Sequence, residues 1–130
     1  MARKQALLGS HLHPLQATAI VGTNNLADGG GAAQACVGTS LSGALQLSFD
    51  INQVSTASGQ TACKLPANAD PGDTIYVFNT SATAALVFPN TSAGTINGGS
   101  AGASISVAQN VLVQLVNIGG GDVWATTGNT

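Results

Sequence analysis

The sequence contains no glutamate and very little charge of either sign. Only 6% of its 130 residues are charged, against about 25% in an ordinary soluble domain. Three Lys and Arg residues cannot form the basic patch of a nucleic-acid-binding surface, so we expect no nucleic-acid partner. Small uncharged residues take the place of charges, which favours a protein whose surface is largely covered by other protein.

Long hydrophobic runs and cysteine pairs at metal-binding spacing are also missing. No run approaches the roughly 20 apolar residues of a membrane-spanning helix, and residues 1–8 lack the apolar stretch of a signal peptide. We therefore expect no membrane partner and a cytosolic product. Cys36 and Cys63 are expected to be reduced there, and they are too few and too far apart in sequence for a zinc site.

The residue sets on which enzymes depend are not present in the sequence. His11 and His13 would make at most a weak metal pair, and a solvated or interface position is favoured. No nucleophile has a base beside it in sequence, and no phosphate-binding glycine loop occurs. Asp70 and Asp73 flank a Pro-Gly pair, so we interpret them as turn residues. We predict no enzymatic activity, no cofactor and no metal.

What the sequence does contain is a series of short β-branched and aromatic runs within residues 73–118. The runs at 74–79, 86–89 and 111–118 are separated by Gly, Asn, Ser and Thr, as strands are by turns. Several are apolar at consecutive positions, so both faces of these strands need cover. One face is expected in a sandwich core and the other against a neighbouring subunit.

A strict alternation of apolar and polar residues over 45–52 predicts one further strand with a single buried face. Shorter strands are predicted at 61–65, 84–88, 104–107 and 123–126, and Asn97-Gly98 is the best two-residue turn. We therefore predict an all-β fold, a small β-sandwich or jelly-roll-like module of about seven short strands. The side chains expected in its core or between subunits are Leu45, Phe49, Ile75, Val77, Val113 and Leu115.

The predicted division of the chain is an N-terminal arm with its connecting segment over residues 1–40 and the β-sandwich module over residues 41–130. A short strand is possible at 16–21, but we expect residues 1–20 to be extended and ordered only by docking. A mixed basic and apolar terminus favours docking on a partner over a frayed end. The candidate partner-binding residues are Arg3, Lys4, Leu7, Leu8 and Leu12.

Two aromatic residues allow two interpretations. Tyr76 and Trp124 would stack on a sugar if they were exposed. The favoured interpretation is that each anchors the core or a subunit contact with its polar tip hydrogen-bonded.

The order of these features resembles that of a known class of viral proteins. The segments that carry the resemblance are 50–52, 64–66, 71–75, 86–89, 95–98 and 122–125, which read Asp-Ile-Asn, Lys-Leu-Pro, Pro-Gly-Asp-Thr-Ile, Leu-Val-Phe-Pro, Thr-Ile-Asn-Gly and Asp-Val-Trp-Ala. In this respect the chain is similar to the small β-rich structural proteins of tailed bacteriophages, especially capsid decoration (cement) proteins. The resemblance covers the C-terminal two-thirds and consists of turn chemistry and strand order.

This resemblance implies a virion structural protein on the outer capsid surface. Proteins of this kind form homo-oligomers, commonly trimers, and bind the major capsid protein of the assembled shell. The alternative that remains open is a host-recognition module of a phage fibre or tail that binds glycans.

Overall fold

The computed structural model of the protein describes residues 33–127, and over that range the regular structure consists of β-strands alone. Ten short strands form one six-stranded and one four-stranded sheet. In chain order they are β1 (Gln34–Ala35), β2 (Leu45–Gln46), β3 (Ile51–Ser55), β4 (Ala62–Lys64), β5 (Thr74–Asn79), β6 (Ala85–Phe88), β7 (Thr95–Ile96), β8 (Ile105–Val107), β9 (Leu112–Gly119) and β10 (Val123–Thr126). The predicted all-β class is confirmed, although the strands are shorter and more numerous than predicted.

The first six strands wind between the two sheets as a solenoid-like coil. β1, β3 and β5 are neighbours in the six-stranded sheet, and β2, β4 and β6 are neighbours in the four-stranded sheet. All pairings within these two sets are parallel. Parallel neighbours need a crossover connection, which here is the strand in the opposite sheet. A jelly roll is built from antiparallel strands, so the jelly-roll part of the prediction was wrong.

The last strands complete the two sheets mainly through antiparallel pairs. β8 pairs with β6, β9 pairs with β5 and β10 pairs with β9, all antiparallel. β7 lies parallel to β10 at the far edge. The resulting order β1-β3-β5-β9-β10-β7 places the two longest strands, β5 and β9, at the centre of the six-stranded sheet.

The core lies between the inner faces of the two sheets. Leu47, Val87 and Trp124 are fully buried in it, and full burial of a Val or Leu side chain contributes about 1.5–3 kcal/mol. Among the side chains expected in the core or between subunits, four lie in this core and two are only partly buried. The four are Ile75, Val77, Val113 and Leu115, and the two are Leu45 and Phe49.

The alternating segment 45–52 is not one strand, so that prediction was wrong. β2 ends at Gln46 in one sheet, and β3 begins at Ile51 in the other, with residues 47–50 crossing between them. The crossing changes which side chains point inward: Ile51 is 45% exposed, whereas Asn52 is fully buried. Alternation cannot reveal such a change of sheet, because the period of side chains is the same in every strand.

Local turn chemistry was predicted more successfully. β5 and β10 cover the residues expected for them, 74–79 and 123–126. Asn97 and Gly98 have φ values of 56° and 69°, and the Gly99 N–H donates to the Ile96 carbonyl at 3.0 Å. Two successive positive φ values are those of a type I′ turn, so the predicted two-residue turn is confirmed.

Three asparagines occupy inward positions of the six-stranded sheet. Asn52, Asn79 and Asn117 are at most 1% exposed. The Asn79 side-chain amide donates to the carbonyls of Thr83 and Val107, both at 2.9 Å. The Asn117 amide donates to the Gly121 carbonyl at 2.8 Å, and its side-chain oxygen accepts from the Gly119 N–H at 3.0 Å. Because a buried amide is costly unless it is paired, these contacts fix the turns that follow β5 and β9.

Candidate functional site

The outer side of the six-stranded sheet is uncharged and mostly apolar. Its side chains alternate with core side chains along β3, β5, β9 and β10. We call this surface the outer face and define it by Ile51, Gln53, Thr74, Tyr76, Phe78, Leu112, Gln114, Val116, Ile118 and Ala125. None of the six strands that form this sheet contains a charged residue.

The strand register brings the largest apolar side chains of the outer face together. Ile51 lies opposite Tyr76 across the β3–β5 pair, and Phe78 lies opposite Leu112 across the β5–β9 pair. Leu112 and Ile118 are 58% and 61% exposed. Contiguous exposed apolar surface typically marks an interaction site, so the outer face is the candidate functional site.

The four-stranded sheet also has apolar residues on its outer side, but the chain covers them itself. Ala44, Ala62 and Phe88 form a second buried cluster, against which Leu41 and Leu86 pack. Leu41 and Ala44 belong to the connection between β1 and β2. The consecutive apolar residues of β6 are therefore covered on both sides without a neighbouring subunit.

The described aspartates lie at one end of the sandwich. Asp50, Asp73 and Asp122 immediately precede β3, β5 and β10. These strands begin at the same end of the sheet, because β3 is parallel to β5 and both β5 and β10 are antiparallel to β9. Two clefts of about 340 and 360 Å³ open there and share Pro66 and Asn68 in their walls.

The Asp122 carboxylate is the centre of a hydrogen-bond network in the first cleft. Its two oxygens accept from the backbone N–H groups of Asn90 at 3.1 Å and Thr91 at 2.8 Å, and from the Trp124 indole at 2.9 Å. The Thr91 hydroxyl donates to it as well. Gly94 is required beside it, since a Cβ at that position would overlap the carboxylate. Asp122 therefore ties the segment after β6 to β10.

Asp70 and Asp73 close the turn before β5. The Asp70 N–H donates to the Asp73 carboxylate at 2.9 Å, and the Asp73 N–H donates back to the Asp70 carbonyl at 3.0 Å. Gly72 between them has a φ of 94°, which glycine adopts without strain. The interpretation of this pair as turn residues is confirmed.

The two aromatic residues singled out from the sequence lie in different places. Trp124 is fully buried with its indole bonded to Asp122, which confirms the interpretation that it anchors the core with its polar tip paired. Tyr76 is partly exposed on the outer face, between Ile51 and Gln114 of the neighbouring strands. Because Trp124 is fully buried, it is not available to stack on a ligand in this fold.

The two cysteines, remote in sequence, are brought together by the fold. Both side chains are buried as free thiols, and they belong to the same core cluster. The hydrogen bond from Cys63 lowers the pKa of the Cys36 thiol, while burial opposes that change. The same hydrogen bond, together with burial, raises the pKa of the Cys63 thiol.

Residues 33–127 lack the features of two other kinds of site, a metal centre and a membrane-spanning helix. Nowhere in this range do three or more His, Cys or Asp side chains gather as they would around a metal ion. A helix of the length and apolarity needed to cross a membrane is also absent from this range. Several residues singled out from the sequence lie outside it: Arg3, Lys4, Leu7, Leu8, His11, Leu12 and His13.

Sequence reasoning did not identify the residues that define the candidate site. The alternation over 45–52 predicts a buried position for Ile51, which is 45% exposed, and no sequence pattern distinguishes Leu112 or Ile118 from their neighbours in β9. The usable signal was the consecutive apolar positions in β5 and β9, which indicate a second apolar face but not which residues it contains.

No protein-family model matches the sequence, and no curated protein matches it either. Among solved structures, 65% of this chain is similar to a chain in the structure of a chaperone-substrate complex, with 16% identity, a TM-score of 0.43 and 15% of that chain covered. Another similar structure is StcE(132-251) of enterohemorrhagic E. coli, with 12% identity, a TM-score of 0.39, and 63% of this chain and 66% of that chain covered. Similarities at this level carry no argument about function.

Proposed function

We propose that the protein is a non-enzymatic capsid decoration (cement) protein of a tailed bacteriophage, which forms a homo-oligomer on the outer capsid surface and stabilises the shell. The observation that carries the proposal is the uncharged apolar outer face of the six-stranded sheet. Such a face suits permanent contact with protein. The phage and capsid setting comes from the resemblance of residues 45–126 to decoration proteins.

The proposed occupant of the outer face is a second copy of the chain. Two identical charged surfaces repel each other, and burying a charge is costly. The outer face avoids both costs, since its six strands contain no charged residue. Its central β5 strand instead presents Tyr76 and Phe78, and aromatic residues are enriched at the centres of protein interfaces. The resemblance makes a trimer the expected assembly.

The proposed contact with the major capsid protein is made by the N-terminal segment. Arg3 and Lys4 supply positive charge, and Leu7, Leu8 and Leu12 supply apolar surface. A ligand that binds the assembled shell but not its free subunits stabilises the shell by mass action, by about 2.7 kcal/mol per site when its concentration is 100 times Kd.

The two proposed contacts are separable by experiment. Ile51→Asp places a charge on the outer face, and Val37→Asp is its matched control, because both residues are 45% exposed and Val37 lies after β1 rather than on that face. A third variant lacks residues 1–20. Each is tested for its mass by light scattering and for co-sedimentation with assembled capsids.

We expect Ile51→Asp to reduce the mass towards that of one chain, whereas Val37→Asp keeps the wild-type mass. Removal of residues 1–20 should keep the oligomeric mass and the melting temperature while capsid binding falls. A wild-type protein that stays monomeric and does not sediment with capsids contradicts the proposal.

The same protein preparations test the competing function, a glycan-binding module of a fibre or tail. The burial of Trp124 leaves Tyr76 as the exposed member of the two aromatics considered for stacking. Saturable glycan binding that Tyr76→Ala abolishes and Val37→Asp preserves would replace the decoration proposal.

A further inference from the structure

The two cysteines face each other across the sandwich because the backbone beside them is paired. The Val37 N–H donates to the Ala62 carbonyl at 3.0 Å, and the Thr61 N–H donates to the Gly38 carbonyl at 2.7 Å. The segments around Val37 and Ala62 are therefore antiparallel, and the next facing positions along them are Cys36 and Cys63. Both side chains belong to the same core cluster, and they are 2% and 0% exposed.

The pair joins a weakly held part of the fold to a firmly held one. Cys36 directly follows β1, a two-residue strand at the edge of the six-stranded sheet with β3 as its neighbour. Cys63 lies in β4, which has a parallel neighbour on each side in the four-stranded sheet. Short edge strands open more readily than central ones, so a covalent bond here would hold β1 against the body.

We propose that Cys36 and Cys63 are a site of intramolecular disulfide formation, which low-molecular-weight disulfides such as oxidised glutathione convert from the dithiol to a bond between the two sheets. The disulfide would leave the folded arrangement unchanged, since both side chains already lie in one core cluster beside paired backbone. A disulfide requires opposing side chains with closely spaced Cα atoms, which the backbone hydrogen bonds on the adjoining residues provide.

The reaction is an ordinary thiol–disulfide exchange in two steps. When β1 opens, the Cys36 thiolate attacks one sulfur of the oxidant, forms a mixed disulfide and releases one reduced thiol. Cys63 then loses its proton to solvent and attacks the Cys36 sulfur, forming the Cys36–Cys63 bond and releasing the second thiol. The two protein thiols lose two electrons and two protons together, and the oxidant is reduced to two thiols.

The order of attack follows from the surroundings of the two sulfurs. The hydrogen bond from Cys63 favours the thiolate of Cys36, and the thiolate is the reactive form. Cys36 also lies beside the edge strand, whereas Cys63 is within the four-stranded sheet. Cys36 is therefore the first nucleophile, and Cys63 resolves the mixed disulfide.

The test treats the folded full-length protein with oxidised glutathione and compares it with protein kept in a reductant. We expect an intrachain disulfide in the oxidised protein. Its mass should fall by about 2 Da, no thiol should be titratable after unfolding, and digestion should yield a Cys36–Cys63 cross-linked peptide. Closing this loop restricts the unfolded chain, so the melting temperature should rise by about 10 °C or more.

Cys36→Ala and Cys63→Ala are the control variants, and each should keep the same melting temperature with and without oxidant. Should either variant fail to fold, the wild-type comparison decides the question alone. Two thiols that remain free in the folded protein under oxidant would overturn the proposal. So would disulfides that form only between chains, or only after denaturation.

Discussion

The four-stranded and six-stranded sheets both have apolar residues on their outer sides, and they differ in what covers them. On the four-stranded sheet, Leu41 and Ala44 fold back over Ala62 and Phe88 and bury them. On the six-stranded sheet, the outer face keeps Leu112 more than half exposed within the described part of the chain. The two sheets share one core but present different surfaces.

This difference shows how consecutive apolar residues should be interpreted. β6 and β5 both place apolar or aromatic side chains on their two faces. For β6 the second cover comes from the connection between β1 and β2, within the same chain. The pattern therefore predicts that a second layer exists but not whether the same chain or a partner supplies it. Within residues 33–127 the outer face keeps Leu112 and Ile118 more than half exposed.

The largest expected effect concerns the core that the two sheets share. Trp124→Ala removes the largest fully buried side chain and leaves Asp122 without its indole donor. We expect a loss of about 3–5 kcal/mol in the free energy of unfolding, measured by urea denaturation. Tyr76→Ala, on the outer face, is the control and should cost far less in the isolated chain. Equal losses would mean that Tyr76 is as well packed as Trp124.

The next effect compares one phenylalanine from each outer side. Phe88 is buried beneath the β1–β2 connection, whereas Phe78 lies partly exposed on the outer face. Phe88→Ala should lower the free energy of unfolding by about 3 kcal/mol at every protein concentration. Phe78→Ala should cost less in dilute protein, and its cost should grow with concentration, because the contacts it removes are those proposed between copies. A Phe78→Ala effect independent of concentration would contradict the assignment of this face to self-association.

A smaller effect is expected from uncovering the four-stranded sheet. Leu41→Asp weakens the cover over Phe88 and Leu86, and we expect it to cost about 1–3 kcal/mol and to increase binding of a hydrophobic dye. The protein would then expose apolar residues on the outer sides of both sheets. Ser42→Asp, an exposed neighbour in the same connection, is the control. Equal dye binding by the two variants would show that Leu41 does not provide the cover.

The smallest effect on stability is expected for Ile51→Asp. Its side chain is 45% exposed, so the isolated chain should lose no more than about 1 kcal/mol, the range of strand preferences. Urea denaturation of dilute protein measures this loss, with Val37→Asp as the control. A loss of several kcal/mol would place Ile51 in a packed environment and remove it from the candidate interface.

The sequence allowed the turns and several strands to be predicted, but not the way the chain winds. β5 and β10 have Gly, Asn or Asp on at least one side, and these residues end strands for local steric reasons. The crossing at 47–50 contains Asp50, but the alternation from Leu47 to Ile51 is unbroken and conceals the crossing, although Leu47 is buried in the core and Ile51 lies on the outer face. Adjacent solenoid coils depend on contacts between residues far apart in sequence, which periodicity does not report.

The candidate site was predictable only in outline for the same reason. Consecutive apolar residues in β9 indicate a second apolar face, but the register with β5 decides that Leu112 lies opposite Phe78. The contact between Cys36 and Cys63 depends equally on backbone pairing at Val37 and Ala62. Both features arise from pairing between segments that are far apart in sequence, and this separation conceals them.

The most direct test of the account is the molar mass of wild-type protein and of Leu112→Asp, measured by light scattering over a range of concentrations. The account predicts a multiple of the 12.7 kDa chain mass for the wild type, and the mass of one chain for a folded Leu112→Asp protein, since a buried unpaired charge opposes the contact. Val37→Asp should behave as the wild type. A wild-type protein of one chain at every concentration, or a Leu112→Asp protein that keeps the wild-type mass, would contradict the assignment of the outer face to self-association.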